Sequence, residues 1–417
     1  MKVYYEIYGC AVMRGEAERV LSDLVENGFE VSNEEGDVAL VFTCTVRSET
    51  EQRMIARIKE LSRRYERVIV TGCLASAQPG LIKAFSPKAV VVSNGMMHRI
   101  TEAILYGRNL LGYERPENWL KGPLGKFVTV IPIADGCLGN CTFCITKVAR
   151  PVLKSQRPES VIRYALEAVE RGSKEIWLTA PDAAAYGRDL GTNLANLLEE
   201  LLENLPEGVK VRVGMMNPDT FEEIMDELMD IMKDERVFKF FHLPLQSASD
   251  KLLKLMGRKY TYDQYKSIVK EVRGKFGDPS IATDILVGFP NETDEDHLMT
   301  IEALKELKFE RVHIAAYTPR PLTLAARMKQ VSEMVKSRRV KEVYDVMIKV
   351  GEEVHRKYLD KIVEVFIDEY DEKHGTFVGR MNNYIPVVLE NGKLGENAKA
   401  KITDYTFYDL RGYAIVS

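Results

Sequence analysis

The chain has 417 residues, 45% of them hydrophobic and 29% charged, with a formal net charge of −4. That length exceeds one ordinary domain and the composition is that of a soluble protein, so two or three domains are expected. No apolar run approaches the roughly 18 residues a membrane span needs, and MKVYYEIYGC lacks a basic segment followed by an apolar one, so the chain reads as cytoplasmic with no membrane partner.

The first hundred residues alternate β-type runs (KVYYEIY, DVALVFT, RVIVTG, AVVVS) with helical patterns near 15–27 and 47–65. Such alternation predicts a doubly wound parallel α/β domain, placed at 1–112. Cys10, Cys44 and Cys73 each fall just after one of the first three strands, the edge where open α/β sheets build their sites. Any one of them alone could be a small core residue; three at equivalent strand ends suggest a shared metal or redox site. All six cysteines lie in the first 144 residues, and a disulfide framework is not expected in a reducing compartment.

GRNLLGYERPENWLKGPLG, 107–125, reads as a connector. After it come strand candidates FVTVIPI (127–133), EIWLT (175–179), VKVRVG (209–214), VFKFFHL (237–243), IATDILVG (281–288) and RVHIAAY (311–317), separated by helical patterns. Six βα units are too few to close an eight-fold barrel but suit an open, partial (βα)6 barrel of the TIM type, expected over 113–353. At the end of its first strand stands CLGNCTFC, with Cys137, Cys141 and Cys144 spaced C-x3-C-x2-C. A structural tetrahedral site normally has four protein ligands; three leave a coordination position for something that reacts. The remaining strand ends carry Thr179, Asp182, Arg212, Gln246, Ser247, Asp284 and Gly288, candidates for lining a charged, nucleotide-like cofactor. Asp182 and Ser247 could equally be helix caps, and Gly288 a turn. Arg212 and Asp284 are charges inside apolar strands and must be paired or face a cavity.

Position, spacing and the aromatic Phe143 together resemble the radical S-adenosylmethionine superfamily. The resemblance implies a [4Fe–4S] cluster on Cys137, Cys141 and Cys144 whose fourth iron is chelated by S-adenosylmethionine, with Phe143 and the strand-end residues around the cofactor. A zinc site completed by a distant histidine is the competing reading. YGC (8–10), TCTV (43–46), TGC (71–73), HLPLQSAS (242–249), TDILVGFPNET (283–293) and YTPRP (317–321) extend the likeness over nearly the whole chain, to the methylthiotransferase family. EIWLTAPDAAAYGRDLGTNL (175–194) is most similar to the archaeal and eukaryotic branch acting on N6-threonylcarbamoyladenosine at position 37 of tRNA. Sister branches act on isopentenyladenosine in tRNA or on a ribosomal protein. The family likeness implies that Cys10, Cys44 and Cys73 hold an auxiliary [4Fe–4S] cluster. It further implies that two S-adenosylmethionine molecules are consumed, that both clusters face one cavity, and that an external electron donor, a sulfur donor and the tRNA anticodon loop are partners.

The tail, 354–417, is β-type without a long helix and resembles a TRAM domain, a small OB-like β barrel. From Val354 nine basic residues face ten acidic ones, so it is no basic patch. RNA contact there is implied by the resemblance alone, with Arg380, Asn382, Asn383 and Tyr384 as candidates, joined by Arg320 and by Arg338 and Arg339 of KSRRVK. Met13, Phe42, Pro151 and Asn291 depart from the family pattern and no cysteine is affected. A metal-stabilised RNA-binding protein without catalysis is the alternative of another class.

Overall fold

The computed structural model describes residues 1–46, 48–114, 116, 119–120 and 122–415. Residues 115, 117, 118 and 121 of the expected connector lie outside the described residues.

Strands β1 (Lys2–Ile7), β2 (Glu30–Ser32), β3 (Val38–Thr43), β4 (Val68–Gly72) and β5 (Val90–Val92) form a parallel sheet in the order β2-β1-β3-β4-β5. β3 and β4 are buried along their whole length, which is why VALVFT and VIVTG are apolar on both faces. Leu40, Phe42 and Ile69 face one core layer, whereas Ala39, Val41 and Val70 face the other. The order in which the chain adds its parallel strands reverses between β1 and β3, the switch point where sheets of this order open a crevice. Cys10 follows β1 and Cys44 follows β3, so they flank it, and Cys73 follows β4. The edge strand β2 was not expected, because Glu-Val-Ser is too short to show a pattern.

β6 (Val128–Pro132) opens the central domain, and β7 (Ala134–Asp135) pairs antiparallel with β8 (Lys154–Ser155) around the cysteine loop. β6, β9 (Glu175–Thr179) and β10 (Lys210–Val213) form one parallel set, and β11 (Phe240–His242), β12 (Ser280–Val287) and β13 (Arg311–Ala316) another. A parallel bridge between Val211 and Val237 joins them, giving the expected open six-stranded barrel. β11 is shorter than 237–243 because the Lys239 amide donates instead to the Asn382 carbonyl in the next domain (2.7 Å).

Helix Glu333–Arg356 crosses the expected boundary at 353/354 and leads into the last domain. There β14 (Ile362–Asp371), β15 (Thr376–Arg380), β16 (Pro386–Leu389), β17 (Asn397–Tyr405) and β18 (Leu410–Ala414) close a barrel, β14-β15-β16-β18-β17.

Two seams fix the domains. Helix Ala11–Glu26 lies against β6 at Gly15, where a Cβ would stand 2.6 Å from Pro132 Cδ and 2.7 Å from the Val130 carbonyl. Beside it Arg150 bonds both Glu16 (Nη2 to Oε2, 2.5 Å) and Asp135, all three buried. Removing one partner of such a group strands a buried charge, at a cost of about 3–5 kcal/mol. At the other seam Tyr384 enters the lower end of the central barrel, donating to Glu175 Oε1 (3.0 Å) and packing on Phe238 and Phe240.

Candidate functional site

All six cysteines line one cavity of about 520 Å³ between the first domain and the central barrel. Cys10 is the residue before helix Ala11–Glu26 and Cys73 the first residue of helix Cys73–Ala77, so both sulfurs sit where strand ends meet helix starts. Gly139 lies beside two of the sulfurs: a Cβ there would stand 3.4 Å from Cys137 Sγ and 3.6 Å from Cys141 Sγ. The Gly139 amide donates to Cys137 Sγ (3.2 Å).

Burial pushes the Cys73 thiol up to about 12 and, with Asp182 nearby, the Cys137 thiol up to about 11; burial raises Cys44 and Cys141 as well. A cationic centre is what would draw protons from such groups.

The donor set also discriminates between metals. Tetrahedral zinc with Zn–S near 2.3 Å draws its sulfurs to about 3.8 Å from one another. Among the described residues only His242, Asp284 and His313 have ligand atoms all within 4.8 Å of one another; neither cysteine trio is gathered so closely. Neither trio is thus drawn together as a preformed zinc site would be. His242 and His313 do reach the cavity, but their rings are tied to Asp284 Oδ1, at 3.1 and 3.0 Å. Burial alone would raise Asp284; these two bonds instead hold its carboxyl well below the usual range.

Of the strand-end candidates, Thr179, Arg212, Gln246 and Asp284 line the cavity, as does Phe143. Gln246 has a left-handed backbone (φ +69°), held because its amide donates to the Asp284 carbonyl (2.8 Å) and its carbonyl accepts from Leu286 (3.0 Å). The other three candidates do not line the cavity. Asp182 is fully buried behind the wall, where it accepts from the Asn217 amide (3.0 Å), the Asn217 side chain (2.9 Å) and Thr220. Ser247 is buried against Thr300 (3.3 Å) and caps local turns. Gly288 (φ +73°) makes room for Lys336, whose Cγ would lie 2.3 Å from a Cβ there.

Sequence reasoning missed Asn217, Arg258, Lys147 and Arg150, all on the cavity wall. Asn217 Nδ2 points to Cys137 Sγ (3.7 Å), its Oδ1 accepts from Arg258 (2.7 Å), and Asp182 fixes it. Lys147 donates to the Cys137 carbonyl (2.5 Å).

The RNA candidates divide. Arg338 and Asn382 are exposed. Asn383 and Tyr384 are buried in the seam with the central barrel, so neither offers a surface for stacking or phosphate contact. Arg320 is buried against Glu51 and Thr45 (2.8 Å to the hydroxyl), and Arg339 against Glu292 (2.7 Å). Arg380 is bound to Asp368 and Glu369, each at 2.9 Å. Arg320 thereby ties the central domain to the first, whereas Arg339 and Arg380 are paired within their own domains. Of the family departures, Asn291 has φ +65°, a conformation where Gly or Asn is at home. Met13 and Phe42 are buried, and Pro151 is exposed.

Comparison with known proteins matches residues 2–93 to Uncharacterized protein family UPF0004, 131–304 to the Radical SAM superfamily and 356–415 to the TRAM domain. The probable threonylcarbamoyladenosine tRNA methylthiotransferase of Pyrococcus horikoshii is 37% identical over 100% of each chain. That of Methanocaldococcus jannaschii is 39% identical over 100% of this chain and 97% of its own. The human threonylcarbamoyladenosine tRNA methylthiotransferase is 33% identical, covering 89% of this chain and 67% of its own. Among solved structures, the radical S-adenosylmethionine methyltransferase TsrM from Kitasatospora setae superposes with a TM-score of 0.59 at 15% identity, over 78% of this chain and 75% of that one, a likeness of fold.

Proposed function

Because the chain belongs to the family of threonylcarbamoyladenosine tRNA methylthiotransferases, we propose that it adds a methylthio group to C2 of N6-threonylcarbamoyladenosine at position 37 of tRNA. The observation that carries this reading is the single cavity lined by both cysteine trios. Cys137, Cys141 and Cys144 would hold one [4Fe–4S] cluster by three irons, and Cys10, Cys44 and Cys73 the auxiliary one. When bound, the first cluster with S-adenosylmethionine supplies a carbon radical able to act on an aromatic C–H bond, and the second supplies methylated sulfur. The protein's own residues shape the place where this happens. Asp182 orients Asn217, and Asn217 with Arg258 borders the Cys137 side of the cavity. Phe143, packed edge-on against Phe289, and the strained Gln246 form an adjoining wall.

The anticodon loop would present the base, and an electron donor and a sulfur donor would act from outside; the site of action is the cytoplasm. A non-catalytic RNA-binding protein would have no use for two trios facing one interior space. The test is mass spectrometry of nucleosides after anaerobic reconstitution, when about eight irons per chain are expected, and incubation with tRNA. Gain of a methylthio group on threonylcarbamoyladenosine supports the reading. Conversion of isopentenyladenosine in its place rejects it.

A further inference from the structure

Arg212, near the end of β10, is a cavity cation that the fold leaves without an acceptor. Its guanidinium carbon stands 4.6 Å from the ring centre of Trp177, 4.7 Å from Phe240 and 5.0 Å from Tyr384. Three rings from three segments, one of them in the C-terminal barrel, thus fix where it lies. Among the described residues it makes no ion pair or hydrogen bond, and its Nε is a buried donor with no partner. Burial lowers its pKa, but an arginine side chain stays protonated under any working condition. Aromatic faces recover part of the lost hydration; they do not occupy the N–H groups. A bound anion would.

The other cavity cations each have at least one acceptor, although the Arg258 Nε is also a buried donor without a partner. Arg150 is paired with Glu16 and Asp135, Arg258 donates to Asn217, and Lys147 donates to the Cys137 carbonyl. Arg212 keeps its donor capacity for something that enters the cavity. The nucleobase proposed as substrate carries one fixed anion, the carboxylate of its threonyl group.

We propose that Arg212 is the receptor for a carboxylate on the incoming base, that of the threonylcarbamoyl group, held by charge-assisted N–H···O bonds. The proposal rests on the function argued above and gives it a source of selectivity. An isopentenyl group has no carboxylate and would leave a buried cation unpaired, the kind of mismatch by which a polar site rejects an apolar analogue. The methionine carboxylate of S-adenosylmethionine has the same chemistry, so the experiment must separate the two sources.

The reconstituted full-length protein is assayed with tRNA carrying threonylcarbamoyladenosine and with the same tRNA whose carboxylate is capped as the methylamide. Capping is expected to lower kcat/KM by about 100-fold in the wild type and to have little effect in Arg212→Met. tRNA affinity, measured by filter binding without S-adenosylmethionine, should fall on capping for the wild type and for Arg212→Lys but not for Arg212→Met. S-adenosylmethionine binding, measured by equilibrium dialysis without tRNA, should be alike in all three. The proposal is overturned if the wild type binds and converts both tRNAs equally, which needs no variant to fold. It is also overturned if Arg212→Met loses S-adenosylmethionine binding, because the cofactor's carboxylate is then the ligand. A wild type that prefers the uncapped tRNA in binding but methylthiolates neither would sink the reaction and keep the carboxylate site.

Discussion

Cys73 is nearly enclosed, and burial holds its thiol protonated up to about pH 12, so its sulfur is useful only with a cation to displace the proton. Replacing it with Ala should lower iron from about eight to about four per chain, because the auxiliary cluster loses one of three anchors. Reductive cleavage of S-adenosylmethionine should persist while methylthio transfer to tRNA disappears, as read by deoxyadenosine release and nucleoside mass spectrometry. A Cys73→Ala protein that still modifies tRNA would remove this residue from the account. The cysteines were legible in the sequence because spacing and strand-end position are local properties. Asn217 and Arg258 were not: an Asn before Pro218 reads as a turn or cap, and a lone Arg after Gly257 reads as solvated. Only their mutual bond across 41 residues reveals their place at the cavity. Ser247 and Gly288 do not line the cavity, and polar and small residues at strand ends also serve caps and close packing.

Helix Ala11–Glu26 connects the two cysteine sets mechanically. It begins beside Cys10, and its Gly15 rests on β6, whose chain runs on into the Cys137 loop. Gly15→Val would place carbon against the Val130 carbonyl and Pro132 at distances no Cβ tolerates, and backbone cannot step aside as a side chain tip can. We expect a loss of about 1–3 kcal/mol in stability, read by thermal or denaturant unfolding, together with weaker assembly of the auxiliary cluster. Full stability would mean that this seam is looser than drawn. The long parallel strands were readable because burial on both faces demands continuous apolar runs. The edge strand β2 and the β7–β8 pair were not, since three and two residues carry no period.

At the scale of the whole molecule the C-terminal barrel is a floor for the central one. Tyr384 was expected to meet RNA, but the sequence could not say that its ring would be spent on Phe238, Phe240 and Arg212. The joint contains Glu175, whose pKa burial and the nearby Asp368 push up from 4.5 to about 7. Its folded form therefore binds more protons than the unfolded chain between those values, so stability should decline as pH rises through that window and level off above it. Glu175→Gln, neutral throughout, can still accept from Tyr384 and should flatten the decline, by at most on the order of 3 kcal/mol at pH 8. Melting temperatures from pH 5 to pH 8 give the comparison; parallel curves for the two proteins would place the pH dependence elsewhere.

The central claim is that two three-cysteine sets share one interior space. The most direct measurement is the electron paramagnetic resonance spectrum of the protein with both clusters reduced, set beside variants in which either trio is replaced by alanine. Magnetic coupling that makes the spectrum differ from the sum of the two single-cluster spectra is expected. A spectrum equal to that sum would contradict the shared cavity.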